Sequence, residues 1–217
     1  MKAMVLAAGR GNRLRPFTDN IPKPILPVAG RPLVSYQLEA LAHAGFTEVV
    51  MNVAYKAEMI MQALGDGQQY GVNLQYSIEE EGGLETGGGI VKALPLLGER
   101  FLVVSADIYT DFPFATLRER PQQLAHLVMV DPLSNGGDFA LIDGKMRVSS
   151  VNRLTYANVG VFHRDLFDGC KVEFFRLASL WPAPMERGQI TGEHFQGQWI
   201  NVGEPETYQA VQNLLVV

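Results

Sequence analysis

The sequence predicts an α/β fold in three layers, with a mostly parallel central sheet wrapped by helices on both faces. Two observations carry this. Apolar strand-like runs alternate with helix-like segments over residues 1–110, the pattern of parallel strands joined through covering helices. Two polar segments, Gly9-Arg10-Gly11 and Asp107, fall directly after such runs, where ligands collect in sheets of this kind.

The elements follow in chain order. Met4 to Ala8 reads as a short buried strand, and the glycine-rich stretch after it as a loop. Pro32 opens a helix that carries Leu33, Val34, Leu38 and Leu41 on one side and stops at Gly45. Val49 to Val53 is a further apolar strand, and Ala57 to Leu64 a helix ending in the Gly65-Asp66-Gly67 turn. Val72, Leu74 and Tyr76 alternate as a half-buried strand, Gly88 to Leu97 reads as a helix, and Phe101 to Val104 as a buried strand leading into Ser105-Ala106-Asp107.

The second half changes character. Leu127 to Val130 reads as a strand, and Phe139 to Ile142 and Met146 to Ser149 as the arms of a hairpin around Asp143-Gly144. Asp-Gly suits a tight hairpin because both central residues need positive φ, which makes Asp143 a turn former. Ala157 to Phe162 and Trp199 to Val202 are further strands, and Pro205 to Leu215 is a closing amphipathic helix. With no repeat, linker or low-complexity segment, the expectation is one domain over residues 1–217.

Composition narrows the function. The 217 residues are 47% hydrophobic and 19% charged, with net charge −5, which describes a globular chain. No basic block or basic-aromatic interleaving is present to track a nucleic-acid backbone, so polymeric nucleic acid is not an expected partner. No apolar run reaches the roughly 20 residues that cross a bilayer. The apolar start, Ala3 to Ala8, breaks off at Gly9-Arg10-Gly11-Asn12-Arg13, where a signal peptide would continue. Together with the single Cys170, this gives a reducing cytoplasm as the expected location.

Chemistry concentrates in a few segments. Leu6-Ala7-Ala8-Gly9-Arg10-Gly11-Asn12-Arg13-Leu14-Arg15-Pro16 runs on to Thr18 and Pro22-Lys23-Pro24. Glycines after a strand let backbone N–H groups approach a polyphosphate. Gly9-x-Gly11 has neither the third glycine of a dinucleotide fingerprint nor the Gly-Lys-Ser/Thr of a P-loop. Arg13 can grip phosphate oxygens in a bidentate way, whereas Lys23 offers a point charge that two flanking prolines hold stiff.

Leu6 to Pro24 resembles the full signature of the sugar-1-phosphate nucleotidyltransferases. That resemblance implies a Rossmann-like fold of the nucleotide-diphospho-sugar transferase type, with about residues 1–110 binding nucleotide and 111–217 binding the sugar phosphate. It further implies that Leu6, Ala8, Gly9 and Gly11 hold the triphosphate, that Arg13 contacts the phosphates, and that Lys23 assists at the reacting phosphorus.

Leu84-Glu85-Thr86-Gly87-Gly88-Gly89-Ile90 resembles the family's second nucleotide segment, which implies Glu85, Thr86, Gly87 and Gly88 as nucleotide contacts. The same residues also read as a helix start capped by Thr86. The neighbouring Glu79-Glu80-Glu81 reads as a solvated loop face. Asp107 matches the family's magnesium-binding aspartate, with Ala106 where the family usually has glycine, and Asp111 reads as a helix cap.

Trp199-Ile200-Asn201-Val202-Gly203 resembles the closing segment that carries a second metal ligand, commonly aspartate and here Asn201. An amide oxygen can coordinate magnesium but brings no charge. Mg²⁺ is therefore the implied cofactor, on Asp107 and Asn201. Tyr156-Ala157-Asn158-Val159-Gly160 resembles the sugar-binding strand, which implies the Asn158 amide for a sugar hydroxyl, with a structural hydrogen-bonding role left open; Gly137 is placed with it as sugar-binding, and Arg153 stands where many relatives use an upstream lysine to hold the sugar phosphate. The histidines, His43, His126, His163 and His194, show no metal-binding spacing and read as structural.

The expected substrates are a nucleoside triphosphate and a sugar 1-phosphate. The Leu84 to Gly89 segment and Gly192-Glu193-His194 ahead of Trp199 most resemble the branch that uses UTP and a cell-wall amino-sugar phosphate, with residues 134–155 diverging. Two other readings stand beside it: a guanylyl- or thymidylyltransferase for another hexose 1-phosphate, and a catalytically idle sugar-nucleotide-binding module. Oligomeric state is not encoded in any pattern found.

Overall fold

The computed structural model describes residues 1–120, 123–133 and 136–215. Its strands are β1 (Lys2–Leu6), β2 (Pro27–Val28), β3 (Arg31–Pro32), β4 (Glu48–Val53), β5 (Asn73–Ile78), β6 (Arg100–Ser105), β7 (Ile108–Thr110), β8 (Ala125–Val130), β9 (Phe139–Ile142), β10 (Lys145–Arg147), β11 (Arg153–His163), β12 (Ile190–His194) and β13 (Trp199–Asn201). The helices are α1 (Leu33–His43), α2 (Ala57–Leu64), α3 (Glu85–Ala93), α4 (Pro182–Glu186) and α5 (Pro205–Leu215).

A nine-stranded sheet in the order β5-β4-β1-β6-β11-β8-β12-β10-β9 forms the centre. The β5-β4-β1-β6 block is parallel throughout, as is the β8–β12 pair, whereas β11 runs antiparallel between β6 and β8. This is the mixed, mostly parallel α/β sheet that the alternation implies. Because β11 pairs with both β6 and β8, the sheet runs without a break from the first half of the chain into the second.

Strand residues alternate between two cores, as the two-residue pleat requires. Ala3, Val5, Val49, Met51, Leu102 and Val104 face Val34, Leu38 and Leu41 of α1 and Ile60 and Leu64 of α2. Met4, Val50, Phe101 and Val103 face Ile90 and Ala93 of α3 with Leu177, Trp181 and Met185. Three layers result. A smaller cluster joins Leu14, Leu26, Val28 and Leu33 to Val202, Tyr208 and Val211. There α5 clamps β2, with Tyr208 Oη donating to the Pro27 carbonyl at 2.5 Å and Gln212 Nε2 to the same oxygen at 2.7 Å.

Several local expectations shift. The helix expected over residues 88–97 starts at Glu85 and ends at Ala93, followed by one 3₁₀ turn, Leu94–Leu96. Thr86 does not cap it; its Oγ1 accepts from the Leu177 amide at 2.9 Å. Asp111 is no helix cap either, since its Oδ1 accepts from the Gln198 amide at 2.7 Å and ties β7 to the approach of β13. Asp143 and Gly144 adopt φ of 49° and 72° and close the β9–β10 hairpin as the Asp-Gly signal implies. No helix among the described residues is long and apolar enough to cross a membrane.

Candidate active site

The ends of β1 and β6 build the floor of the site. Parallel pairing sets Leu6 beside Ser105, and the Ala106 amide donates to the Leu6 carbonyl at 2.9 Å. The glycine loop and Asp107 therefore leave the sheet side by side. The loop then folds back on itself: Thr18 is buried and its Oγ1 donates to the Gly11 carbonyl at 2.9 Å. Gly11 adopts φ 71°, and a Cβ there would sit 3.0 Å from the Thr18 methyl and 3.2 Å from Lys23 Cβ. Glycine at this point thus lets the Pro22-Lys23-Pro24 segment close down on the loop.

Lys23 Nζ reaches Asp107 Oδ2 at 2.5 Å across 84 residues of sequence. Their side chains are 12% and 25% exposed, so the pair is shielded enough for the charges to matter yet open to a ligand on one side. Both belong to the wall of a cavity of about 640 Å³, whose lining also includes the glycine loop from Leu6 to Gly11 and Glu81, Gly82, Gly83 and Phe174. That is ample room for a nucleotide.

A second cavity of about 450 Å³ adjoins the first, sharing Leu6, Glu85, Thr86 and Ser105 as a common wall. It holds Gly137, Arg153, Asn158, Arg176 and Asn201, with Trp181 and Trp199 among its apolar lining. Asn158 sits where the β11–β8 register shifts between Tyr156 and Gly160 and adopts φ 56°. Such a bulge re-aims a side chain, and here it turns Asn158 toward the cavity. Glu85, on the shared wall, also has positive φ, 60°. Strained non-glycine backbone of this kind gathers at functional sites. Burial pushes the Tyr156 phenol up from its ordinary value, so it stays a neutral part of the lining.

The metal positions can be tested on their chemistry. β13 pairs with β7 so that Asn201 lies opposite Ile108, and the Val202 amide donates to the Asp107 carbonyl at 2.8 Å. Asn201 Oδ1 is buried with no hydrogen-bond partner among the described residues. A buried amide oxygen without a partner, on a strand whose backbone is bonded to the residue of the carboxylate, offers with that carboxylate two oxygen donors of the kind a hard cation takes. Among the described residues no group of three or more His, Cys, Asp or Glu side chains could form a cage. Few protein oxygens, with substrate phosphates completing the shell, is the pattern of magnesium. The residues fit the ion.

Other assigned residues stand elsewhere. Arg13 is exposed and pairs with Glu204 at 3.0 Å rather than lining the cavity; a one-turn helix at Asn12–Leu14 swings it toward α5. Gly87 and Gly88 do not offer a bare surface to the nucleotide. They are buried beneath residues 173–175, where an added Cβ would overlap the Phe175 ring and the Glu173 carbonyl. Glu79 is not solvated: it is 5% exposed, accepting from Asn52 Nδ2 at 2.7 Å and from the Leu84 amide at 2.8 Å.

Sequence reasoning passed over Asn52, Tyr55 and Phe174, all of which line the first cavity. Asn52 Oδ1 accepts from the Ala7 amide at 2.9 Å, so one buried side chain fastens the start of the glycine loop to the 79–84 segment. A polar residue inside the apolar run of β4 was the available signal. Arg10 lies 5.1 Å over the Tyr55 ring, a cation–π contact that puts a guanidinium at the loop. Residues 134 and 135 of the diverging stretch lie outside the described residues.

A glycine loop closed on a lysine-aspartate pair, at the carboxyl ends of parallel strands and beside a second polar cavity, defines a nucleotidyltransferase site. Residues 2–139 match the nucleotidyl transferase family, and the chain belongs to that family. It is 46% identical over 215 residues to an N-acetylmuramate alpha-1-phosphate uridylyltransferase of Neisseria meningitidis serogroup B, covering 94% of this chain and 93% of the relative. A UTP–glucose-1-phosphate uridylyltransferase of Synechocystis is 29% identical over 99% of this chain but only 63% of its own. The HddC structure of Yersinia pseudotuberculosis with GMP-PN shares the fold, with TM-score 0.83, 21% identity and 98% coverage of each chain.

Proposed function

We propose that this protein transfers a uridylyl group from UTP to N-acetylmuramic acid 1-phosphate, giving the UDP-sugar and pyrophosphate in cytoplasmic recycling of cell-wall sugar. The Lys23–Asp107 pair, in the wall of one cavity that adjoins a second, carries the reading, because a transfer between two anions needs a charged meeting point with a pocket for each at hand. The choice of UTP and of this sugar rests on likeness to the Neisseria enzyme along nearly the whole chain.

In this reading the triphosphate lies on the loop amides of Gly9 to Gly11, and its reacting phosphorus faces Lys23. An oxygen of the sugar phosphate attacks that α-phosphorus in line, the bond to the bridging oxygen breaks, and pyrophosphate leaves. The sugar phosphate is already anionic near neutral pH, so no general base is required and catalysis becomes alignment plus charge stabilisation. Lys23 supplies a fixed positive charge where negative charge grows. Arg13 joins the phosphates by leaving Glu204, an exposed ion pair worth about 0–1 kcal/mol and so readily exchanged for a bidentate phosphate contact. Gly137, Arg153 and Asn158 hold the sugar phosphate in the second cavity. Asp107 and Asn201 would hold Mg²⁺, which when bound supplies further charge neutralisation at the phosphates.

The test is pyrophosphate release with UTP, GTP and dTTP against N-acetylmuramic acid, glucose and mannose 1-phosphates, with magnesium present and absent. Turnover fastest with UTP and N-acetylmuramic acid 1-phosphate is expected. Faster turnover with GTP or dTTP would reassign the nucleotide, and nucleotide binding without any turnover would mark an idle binding module.

A further inference from the structure

Residues 171–176 carry no regular secondary structure, yet they are fixed to the start of α3 by backbone contacts. The Gly87 amide donates to the Phe175 carbonyl at 2.9 Å, the Phe175 amide to the Leu84 carbonyl at 3.3 Å, and the Leu177 amide to Thr86 Oγ1 at 2.9 Å. Nothing larger than glycine fits at Gly87 or Gly88 without moving the Phe175 ring or the Glu173 backbone. The glycine pair is therefore a socket, and the 173–175 segment is what fills it.

The seated segment presents its two aromatic residues in opposite directions. Phe175 turns into the core beside α3. Phe174 is 67% exposed and is part of the first cavity's wall, which also includes Gly82 and Gly83. No aromatic ring among the described residues stacks on it. Leaving a phenyl ring in water forgoes the stabilisation its burial would give, and the segment on either side of it is too well held for the exposure to be a loose end.

Phe174 shares its cavity with the glycine loop and the Lys23–Asp107 pair. On the proposed reading, on which this inference rests, the reacting phosphorus is at Lys23 and the sugar phosphate occupies the cavity beyond Ser105. The nucleoside then takes the remainder of the first cavity, whose wall includes Gly82, Gly83 and the exposed Phe174 ring. We infer that the Phe174 ring is the stacking platform for the nucleobase of the incoming nucleoside triphosphate, presented by the Gly87–Gly88 socket. A phenyl face stacks on any base, so Phe174 sets nucleotide affinity, and the choice of base falls to other groups.

Titration of the intact protein with UTP, GTP and dTTP in the presence of magnesium tests this without requiring turnover. Phe174→Ala raises the Kd of the tightest-binding nucleotide about tenfold, the size expected for one lost base–aromatic stack. Its melting temperature without ligand stays at the parent value, because the ring is mostly in water. Phe174→Trp restores affinity, and its indole emission, read against that of the parent with Trp181 and Trp199, is quenched when nucleotide is added. A Kd for Phe174→Ala within twofold of the parent would overturn the inference while leaving the transferase reading intact. Tightest binding of GTP would revise the UTP assignment and leave the Phe174 result standing.

Discussion

Lys23 and Asp107 meet at 2.5 Å although 84 residues separate them, and most of the proposed chemistry depends on that one contact. Without ligand the ammonium partly neutralises the carboxylate; with a triphosphate present the same charge is available to the α-phosphate. Lys23→Ala should lower kcat about 10²–10³-fold, the usual loss when one preorganised donor to a transition-state charge is removed, while the KM for the sugar phosphate changes little. Steady-state pyrophosphate release measures both. Asn201 is the other informative residue. Its unpartnered oxygen suits a cation but adds no charge, so Asn201→Asp should lower the magnesium concentration needed for half of the nucleotide-dependent rise in melting temperature. An unchanged magnesium midpoint would remove Asn201 from the metal site.

At the level of elements, β8 and β12 are joined by a partly buried polar cluster around His126. His126 Nδ1 lies 2.8 Å from Thr191 Oγ1 and its Nε2 lies 3.2 Å from Glu193 Oε1, with the Arg120 guanidinium also on Glu193. Burial pushes the Glu193 carboxyl up, but the His126 hydrogen bond and the nearby Arg120 outweigh it and hold the group below its usual value. A carboxyl depressed in the folded state adds stability that is fully present above its unfolded pKa of about 4.3 and is lost as pH falls through the folded value. Glu193→Gln should therefore melt about 2–4 °C below the parent at pH 7, and the gap should close toward pH 3. A gap that persists at pH 3 would mean that Glu193 acts through packing alone.

The parallel β1, β4 and β6 strands were legible in the sequence, because buried runs such as Val49 to Val53 have few other uses. The short β2, β3 and β7 strands and β12 were not: Pro27–Val28 and Arg31–Pro32 are too brief for periodicity, and Ile190–His194 carries Gly, Glu and His on a buried strand.

Across the whole molecule, the adjacency of site residues followed from the motifs, whereas their orientation did not. Leu6 to Pro24 and Asp107 converge because β1 and β6 are neighbours in the sheet. Which way Arg13 swings depends on a single 3₁₀ turn and on Glu204, 191 residues away, which no local pattern encodes. The function of Gly87 and Gly88 was hidden for a similar reason, since the segment that fills them lies at 173–175, far along the chain. Phe174 was missed because an isolated phenylalanine in sequence reads as core, and only the fold leaves it in the cleft.

The most direct measurement is a crystal structure with UTP and magnesium bound. The triphosphate is expected to lie along Gly9 to Gly11, with Lys23 Nζ on the α-phosphate and the Asp107 carboxylate turned from the lysine to the cation. A triphosphate seated away from the glycine loop, with the Lys23–Asp107 pair undisturbed, would contradict that expectation.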